Sequence, residues 1–261
     1  MHSAGKIMKG LSVYYIVKNE EARLGASLLQ SKKLCSDIVV VDSGSTDRTL
    51  EIANAAGART SFNAWRGFAI QKAHAASLCN NDWVLEIDAD EVLSDELISS
   101  IKKVMCDPDL EQFAGFEILL KHVRPFPGHP LWYSPPMKIM RLYNRRRAKI
   151  LAIENTIDDR AKVIHGKVGK LHGVLYHRPV MSLEQMERKY LVLSSDQASE
   201  FFLKGRKISS MRLFIEFPAK FIKYYFFKGN ILNGWYGFVV SMIAANRHFM
   251  KLAKAKEKGL R

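Results

Sequence analysis

The chain has 261 residues, enough for one sizeable core or a core with an appendage, and its 48% hydrophobic and 25% charged content excludes intrinsic disorder as the default state. Its net charge is +14, of which +11 lies beyond Glu200, where thirteen Lys and Arg stand against Glu216 and Glu257. Such a basic end reads as nucleic-acid binding, membrane-surface binding or a solvated tail, and the rest of the chain is close to neutral. Cys35, Cys79 and Cys106 are odd in number and match no metal-ligand spacing, which suggests reduced thiols, and the opening MHSAGKIMKG lacks the apolar core of a secretory signal. A cytoplasmic working surface is the expectation.

In chain order, LSVYYIV (11–17) is a β-branched and aromatic run that reads as a buried strand. Asn19 is placed to cap a helix that holds Glu20 and Glu21 in its first turn and Leu24 and Leu28 on one face. DIVVVD (37–42) reads as a second buried strand, followed by a turn and a helix that ends at Gly57. ARTSF is a short third strand, 67–79 a helix and DWVLEID (82–88) a fourth strand. Alternating strands and helices predict an α/β fold with a mostly parallel sheet and right-handed crossovers. Segments 114–120 and 137–145 read as further strands around HVRPFPGHPLWYSPP, a proline-rich loop suited to facing a substrate or to a plain connection.

Ligands of such sheets bind beyond the carboxyl ends of the strands, where KNEE, DSGSTD and DADE all fall. In DSGSTD, Gly44 permits a tight turn and Ser45 or Thr46 is placed to cap the next helix, while Asp42 needs hydrogen-bond donors that a uracil N–H or ribose hydroxyls would supply. In IDADE, an extended backbone would point Asp88 and Asp90 to the same side. Two adjacent carboxylates stay ionised when Mg²⁺ or Mn²⁺ lies between them, and such hard cations also take diphosphate oxygens. Ser94, Asp95 and Glu96 already serve the start of the following helix, so Asp88 and Asp90 are surplus to it. His165, His172 and His177 lack zinc-site spacing and read as acceptor-side or structural residues, and Arg141, Arg145, Arg146 and Arg147 form either a patch for a phosphorylated acceptor or a solvated strand end.

Together LSVYYIVKNEEARL, DIVVVDSGSTDRTLEIA and DWVLEIDADEVLS resemble, over about residues 11–100, the nucleotide-sugar-binding half of family 2 glycosyltransferases with the GT-A fold. QKAHAASLCNNDWVLEIDADE and the C-terminal FFKGNILNGWYGFVVSMIAANRHFMKLAKAKE are most similar to bacterial lipopolysaccharide core glucosyltransferases of the WaaE/KdtX type. The resemblance implies a GT-A catalytic domain over 1–185, with a nucleotide-sugar half at about 8–100 and an acceptor half at 101–185. It implies that Val17, Asn19, Glu20, Asp42 and Gly44 surround the nucleoside, that Lys72 lies near it, and that Asp88 touches the ribose or the metal. Asp90 would be the direct ligand of the Mg²⁺ or Mn²⁺ that bridges the diphosphate of a UDP-sugar. Asp158 and Asp159 stand where the family shows His and Glu, which makes Asp159 the implied base of an inverting transfer, with Asp158 and Glu154 as its rivals.

The segment 186–261 mixes aromatic and aliphatic residues with regularly recurring lysines, and its longest uncharged run, Gly229 to Asn246, is too short and too polar to span a bilayer. It reads as a helical segment lying in the interface of an anionic membrane, or as amphipathic helices packed on the catalytic domain. Nucleic acid is not expected as a partner, because no recognised module accompanies the charge. The expectation is a UDP-hexose-dependent enzyme, glucose first, at the cytoplasmic face of the bacterial inner membrane. It would extend a lipid-linked saccharide such as the lipopolysaccharide inner core, or a polyprenyl-linked sugar. A membrane-surface nucleotide-binding protein without turnover is the non-enzymatic alternative. A nucleotidyltransferase is disfavoured because VKNEEARL offers no Gly-rich phosphate loop.

Overall fold

The computed structural model describes residues 9–123, 137–153, 159–205 and 208–259, which fall into two units, Met1–Lys121 with Pro136–His177, and His122–Pro135 with Arg178–Arg261.

The first unit is built on an eight-stranded sheet in the order β3-β2-β1-β4-β7-β6-β10-β5. Its first four members are β3 (Arg59–Phe62), β2 (Asp37–Asp42), β1 (Leu11–Val17) and β4 (Trp83–Glu86), joined by parallel ladders. Beyond β4 the pairing turns antiparallel: β7 (Met137–Asn144) lies against β4 and against β6 (Phe113–His122), and β10 (Lys167–His177) carries β5 (Glu91–Leu93). The sheet is therefore mixed rather than mostly parallel. Only the first strands are separated by helical crossovers, which parallel pairing requires.

The apolar runs explain both faces. In β1, Leu11, Val13, Tyr15 and Val17 point to one side and pack with Leu24 and Leu28 of α1 (Leu24–Ser31) and with Ile98 and Ile101 of α4 (Asp95–Met105). Tyr14 points to the other side, towards Val39, Val41 and Ala75 of α3 (Phe68–Ser77). Each of these side chains leaves water almost completely, a gain of about 1.5–3 kcal/mol apiece. The remaining helix of the unit, α2 (Thr49–Ala55), ends before Gly57, whose φ is +75° as expected for a helix stop. A two-stranded sheet of β8 (Ala148–Ile150) and β9 (Ala161–Val163) turns the chain back towards α3 just after Asp159.

Gly173 anchors β10 on α4. Its φ is +95°, and a Cβ there would stand 2.3 Å from the backbone nitrogen of Leu97. That approach lets Ser94 and Val174 exchange hydrogen bonds: the Ser94 N–H donates to the Val174 carbonyl at 3.0 Å and the Val174 N–H donates to Ser94 Oγ at 3.0 Å. Gly173→Ala is expected to destabilise the protein by more than about 3 kcal/mol in denaturant melts, since strain and clash add.

The second unit contains α5 (Leu183–Leu203), α6 (Ser210–Ile222) and α7 (Gly234–Lys258), so seven α-helices occur among the described residues. Ser182 and Ser209 cap α5 and α6 by accepting the N–H groups of Gln185 and Arg212. Ala198, Phe201, Leu252 and Ala255 form a small core in this unit. A π-turn at Lys223–Phe227 follows α6, and Phe214, Phe227 and Trp235 are 79%, 82% and 62% exposed. No helix among the described residues is long and apolar enough to cross a membrane.

His248, on α7, has its pKa pushed down from 6.5 to about 4, first by burial and then by the charges of Arg247, Lys251, Lys220 and Lys223. A histidine held neutral in the fold contributes stability above pH 6.5, and that contribution is lost as the pH falls towards 4. The thermal unfolding temperature is accordingly expected to fall as the pH drops across that window, and His248→Gln to flatten this part of the profile.

Candidate active site

A cavity of about 410 Å³ opens beyond the ends of β1 and β4. Ile16, Val17, Lys18, Glu20 and Ser43 form one wall, Trp65, Phe68 and Lys72 a second, and Asp88, Ala89, Asp90, Asp159 and His177 the third.

The first wall is knitted by loop-to-loop hydrogen bonds. Asn19 adopts φ +55°, a left-handed conformation that Asn tolerates, and its Oδ1 accepts the Thr46 N–H at 2.8 Å. Its own N–H donates to Ser45 Oγ at 2.9 Å, and the Glu20 N–H donates to Thr49 Oγ1 at 2.7 Å. Asn19 therefore fastens two loops instead of capping α1, which starts at Leu24 with Arg23 at the cap position. Ser45 and Thr46 are likewise engaged here and do not cap α2, whose cap position is Arg48. Asp42 is buried and takes its donors from its own turn: the N–H groups of Gly44 and Ser45 reach Oδ2 at 2.8 and 2.9 Å, and Ser45 Oγ donates to Oδ1 at 2.5 Å. The need for donors that pointed Asp42 at a nucleoside is thus met inside the protein. Gly44, with φ +100°, is what lets the turn fold back onto the carboxylate.

The acids of IDADE separate into two kinds. Strand β4 ends at Glu86, and residues 89–90 form a turn in place of the expected extended segment. Glu86 and Glu91 are buried, and both serve the frame. Glu86 accepts from Tyr14 Oη at 2.9 Å and pairs with Lys72 at 2.8 Å and with Arg141. Glu91 accepts the Asp88 N–H at 3.0 Å through one oxygen and Arg141 Nη2 at 2.7 Å through the other. Asp88 and Asp90 line the cavity instead. Asp88 Oδ2 lies 2.7 Å from Arg141 Nη2, and Asp90 Oδ2 lies 3.2 Å from His177 Nε2 and 3.5 Å from Arg23 Nη1. Arg23 is also forked onto Glu20, with Nε and Nη2 2.7 and 2.6 Å from its carboxylate, which ties the first wall to the acid turn.

Arg141 fits neither of the two readings of the arginines, an acceptor patch or a solvated strand end. It is buried at the centre of Glu86, Asp88 and Glu91, brought beside β4 by the register that sets Leu142 against Leu85. The other three arginines are dispersed: Arg145 donates to the Ala76 carbonyl at 2.7 Å, Arg146 pairs with Asp82 at 3.0 Å and Arg147 with Glu111 at 2.6 Å. Lys72, buried like Arg141, reaches Asp159 Oδ2 at 2.6 Å as well as Glu86. Glu154 and Asp158 lie outside the described residues.

Burial dominates the electrostatics. It pushes the Glu91 carboxyl well above the usual range and raises Asp88 and Glu20, while it lowers Arg141 to about 10. Around the cavity and its floor stand six carboxyl groups, Glu20, Glu86, Asp88, Asp90, Glu91 and Asp159, against the four cations Lys18, Arg23, Lys72 and Arg141. Such an excess of negative charge favours an added cation, and Asp90 with His177 offers it an oxygen and a nitrogen donor. Among the described residues no three Asp, Glu, His or Cys side chains are gathered as a complete protein cage, so further ligands would come from water or substrate.

Arg23, Trp65 and Phe68 were not singled out from the sequence, and Arg141 and His177 were read there only as part of a possible acceptor patch and as an acceptor-side or structural residue. Trp65 and Phe68 meet edge to face at 4.8 Å on the cavity wall. His177 reaches Asp90 because β10 pairs with β5 in the register that sets His177 against Glu91, a relation that no local motif encodes.

The description Glycosyl transferase family 2 fits residues 12–165, more than half of the chain. The chain belongs to the family 2 glycosyltransferases. An uncharacterized glycosyltransferase of Rickettsia typhi is 35% identical over 97% of this chain and 89% of its own length. The lipopolysaccharide core biosynthesis glycosyltransferase LpsC of Rhizobium meliloti is 30% identical over 94% of this chain and 91% of its own length. The crystal structure of S. aureus TarS 1-349 superposes on this glycosyltransferase with a TM-score of 0.50 and 16% identity, covering 97% of this chain and 92% of that one, which supports a GT-A-like fold of curled sheet and flanking helices.

Proposed function

We propose that this family 2 glycosyltransferase is metal-dependent and inverting, moving a hexose, glucose foremost, from a UDP-sugar to a membrane-embedded saccharide of the lipopolysaccharide inner-core type. The observation that carries the reading is the cavity beyond β1 and β4, where Asp88, Asp90, Asp159 and His177 meet beside a surplus of carboxylates. The similarity to LpsC supports the acceptor class.

Asp90 and His177 would hold Mg²⁺ or Mn²⁺ with oxygens of the donor diphosphate, and Asp88 stands next to them, held by Arg141. When bound, the cation supplies Lewis-acid stabilisation of the charge on the departing UDP. The loops that Asn19, Glu20, Asp42 and Gly44 tie together shape the nucleoside side of the cleft beside Val17, and Trp65 with Phe68 offers an apolar wall for a base or sugar ring. Asp159 accepts the proton of the acceptor hydroxyl as that oxygen attacks the anomeric carbon from the face opposite UDP. Lys72 orients the Asp159 carboxylate from below. The exposed aromatics and lysines of the helical unit would hold the enzyme at the cytoplasmic face of the inner membrane, beside an acceptor whose lipid stays in the bilayer.

Calorimetric titration with UDP, in the presence and absence of Mn²⁺, tests the core of this reading. Affinity is expected to be at least about tenfold higher with the metal. Equal affinities would remove the cation from donor binding, and no UDP binding at all would remove the donor class.

A further inference from the structure

Elsewhere in the helical unit, several basic side chains find acidic or hydroxyl partners. Arg188 pairs with Glu184 at 2.6 Å, Lys204 with Glu200 at 2.5 Å, and Lys254 donates to Ser194 and Ser195 at 2.8 Å. The facing surfaces of α6, the π-turn and α7 differ. Arg212, Lys220, Lys223, Arg247 and Lys251 converge there, and among the described residues the acid paired with them is Glu216, 3.7 Å from Lys220. Aromatic rings hold three of them in place of carboxylates: Arg212 and Lys251 both stand over the Phe201 ring, at 5.5 and 5.8 Å, and Arg247 stands 5.0 Å from the centre of Tyr190. Arg247 Nη2 donates to His248 Nε2 at 3.1 Å, which requires that nitrogen to be unprotonated, and the Tyr224 hydroxyl lies 2.9 Å from the same nitrogen. Arg247 Nε and His248 Nδ1 are buried without an acceptor among the described residues. Donors and positive charge both exceed what the protein supplies to meet them, a balance that an anion with several oxygens would restore.

We infer that this cluster between α6 and α7 is a binding site for the phosphate of an anionic lipid headgroup. The source of the phosphate follows from what the same elements expose. Phe214 on α6, Phe227 at the end of the π-turn and Trp235 at the start of α7 present large rings to solvent. Rings of this kind settle at the level of lipid phosphates, where interspersed lysines and arginines find their counter-charges. Burial and the neighbouring positive charges keep His248 neutral and lower Lys251, in keeping with cations gathered around them. The inference rests on the membrane-surface reading above and adds to it a discrete site in place of diffuse attraction.

The test is flotation of the full-length protein with vesicles of phosphatidylcholine, alone or doped with phosphatidylglycerol. Wild type is expected to float only with the doped vesicles. Arg247→Gln with Lys251→Gln should lower the partition about tenfold or more, whereas the charge-matched pair Lys256→Gln with Lys258→Gln should lower it less than about threefold. The charge-keeping pair Arg247→Lys with Lys251→Arg is expected to float and to melt like wild type, which separates loss of the site from loss of the fold. Equal losses in the two glutamine pairs would overturn the discrete site and leave the membrane reading standing. Failure of wild type to float with any vesicle would overturn both. Titration with inorganic phosphate is expected to show no saturable binding; a saturable site that vanishes in Arg247→Gln with Lys251→Gln would reassign the cluster to soluble phosphate.

Discussion

Replacing Asp159 with Asn is expected to lower the rate of sugar transfer by about 10²- to 10⁴-fold, the usual contribution of a positioned base. UDP affinity should stay within about twofold, because the proposed mechanism has Asp159 act on the acceptor and not on the nucleotide. The fold should survive the change. Lys72 keeps Glu86 at 2.8 Å as a counter-charge, and the Asn amide oxygen can still accept from its ammonium. Steady-state transfer rates combined with UDP calorimetry separate the two effects. A variant that transfers at the wild-type rate would move the base to Asp158 or Glu154.

Replacing Asp90 with Asn is expected to act on a different quantity. The Mn²⁺-dependent part of UDP affinity should disappear, and transfer should fall by about 10²- to 10³-fold, since a Lewis acid contributes several kcal/mol to stabilising the leaving group. Asp88→Asn should be milder in metal response, because Asp88 already shares its Oδ2 with Arg141 at 2.7 Å. Its cost is expected to show partly as lower thermal stability, since Arg141 would lose one of the carboxylates that offset its burial. Unaltered Mn²⁺ dependence in Asp90→Asn would place the cation elsewhere.

The two variants probe the same geometric fact from opposite ends. Asp159 and Asp90 line one cavity, yet one is oriented by a buried lysine and the other by a histidine and an arginine. In the proposed mechanism, identical chemical groups thus acquire different duties from their neighbours, as general acid–base chemistry beside a metal requires.

The division between what was legible and what was not follows from the range of the interactions. Strands β1, β2 and β3 and helices α2, α3 and α4 were readable because their signals are local: β-branched runs, Gly57 at a helix stop, Ser94 at a cap. The acid cluster at the end of β4 was readable as well, though as an extended segment and not as a turn, since four carboxylates within six residues demand compensation wherever they fold. What compensates them was hidden. Arg141 looked like a member of a basic run, and only antiparallel pairing of β7 with β4 brings it beneath Glu86, Asp88 and Glu91. His177 looked like a lone histidine, and only the β10–β5 ladder sets it beside Asp90.

The sequence by itself determined the alternation of elements, the presence of an acid-rich strand end and the concentration of basic and aromatic residues beyond Glu200, because each depends on neighbours a few positions apart. Tertiary structure alone decided which acids are buried in the frame and which face the cavity. It also decided that Asp42 is satisfied by its own turn and that α6 and α7 crowd cations around His248. Charges and hydrogen bonds act through space over a few ångströms, and residues about ninety positions apart become neighbours only once sheet register and helix packing are set.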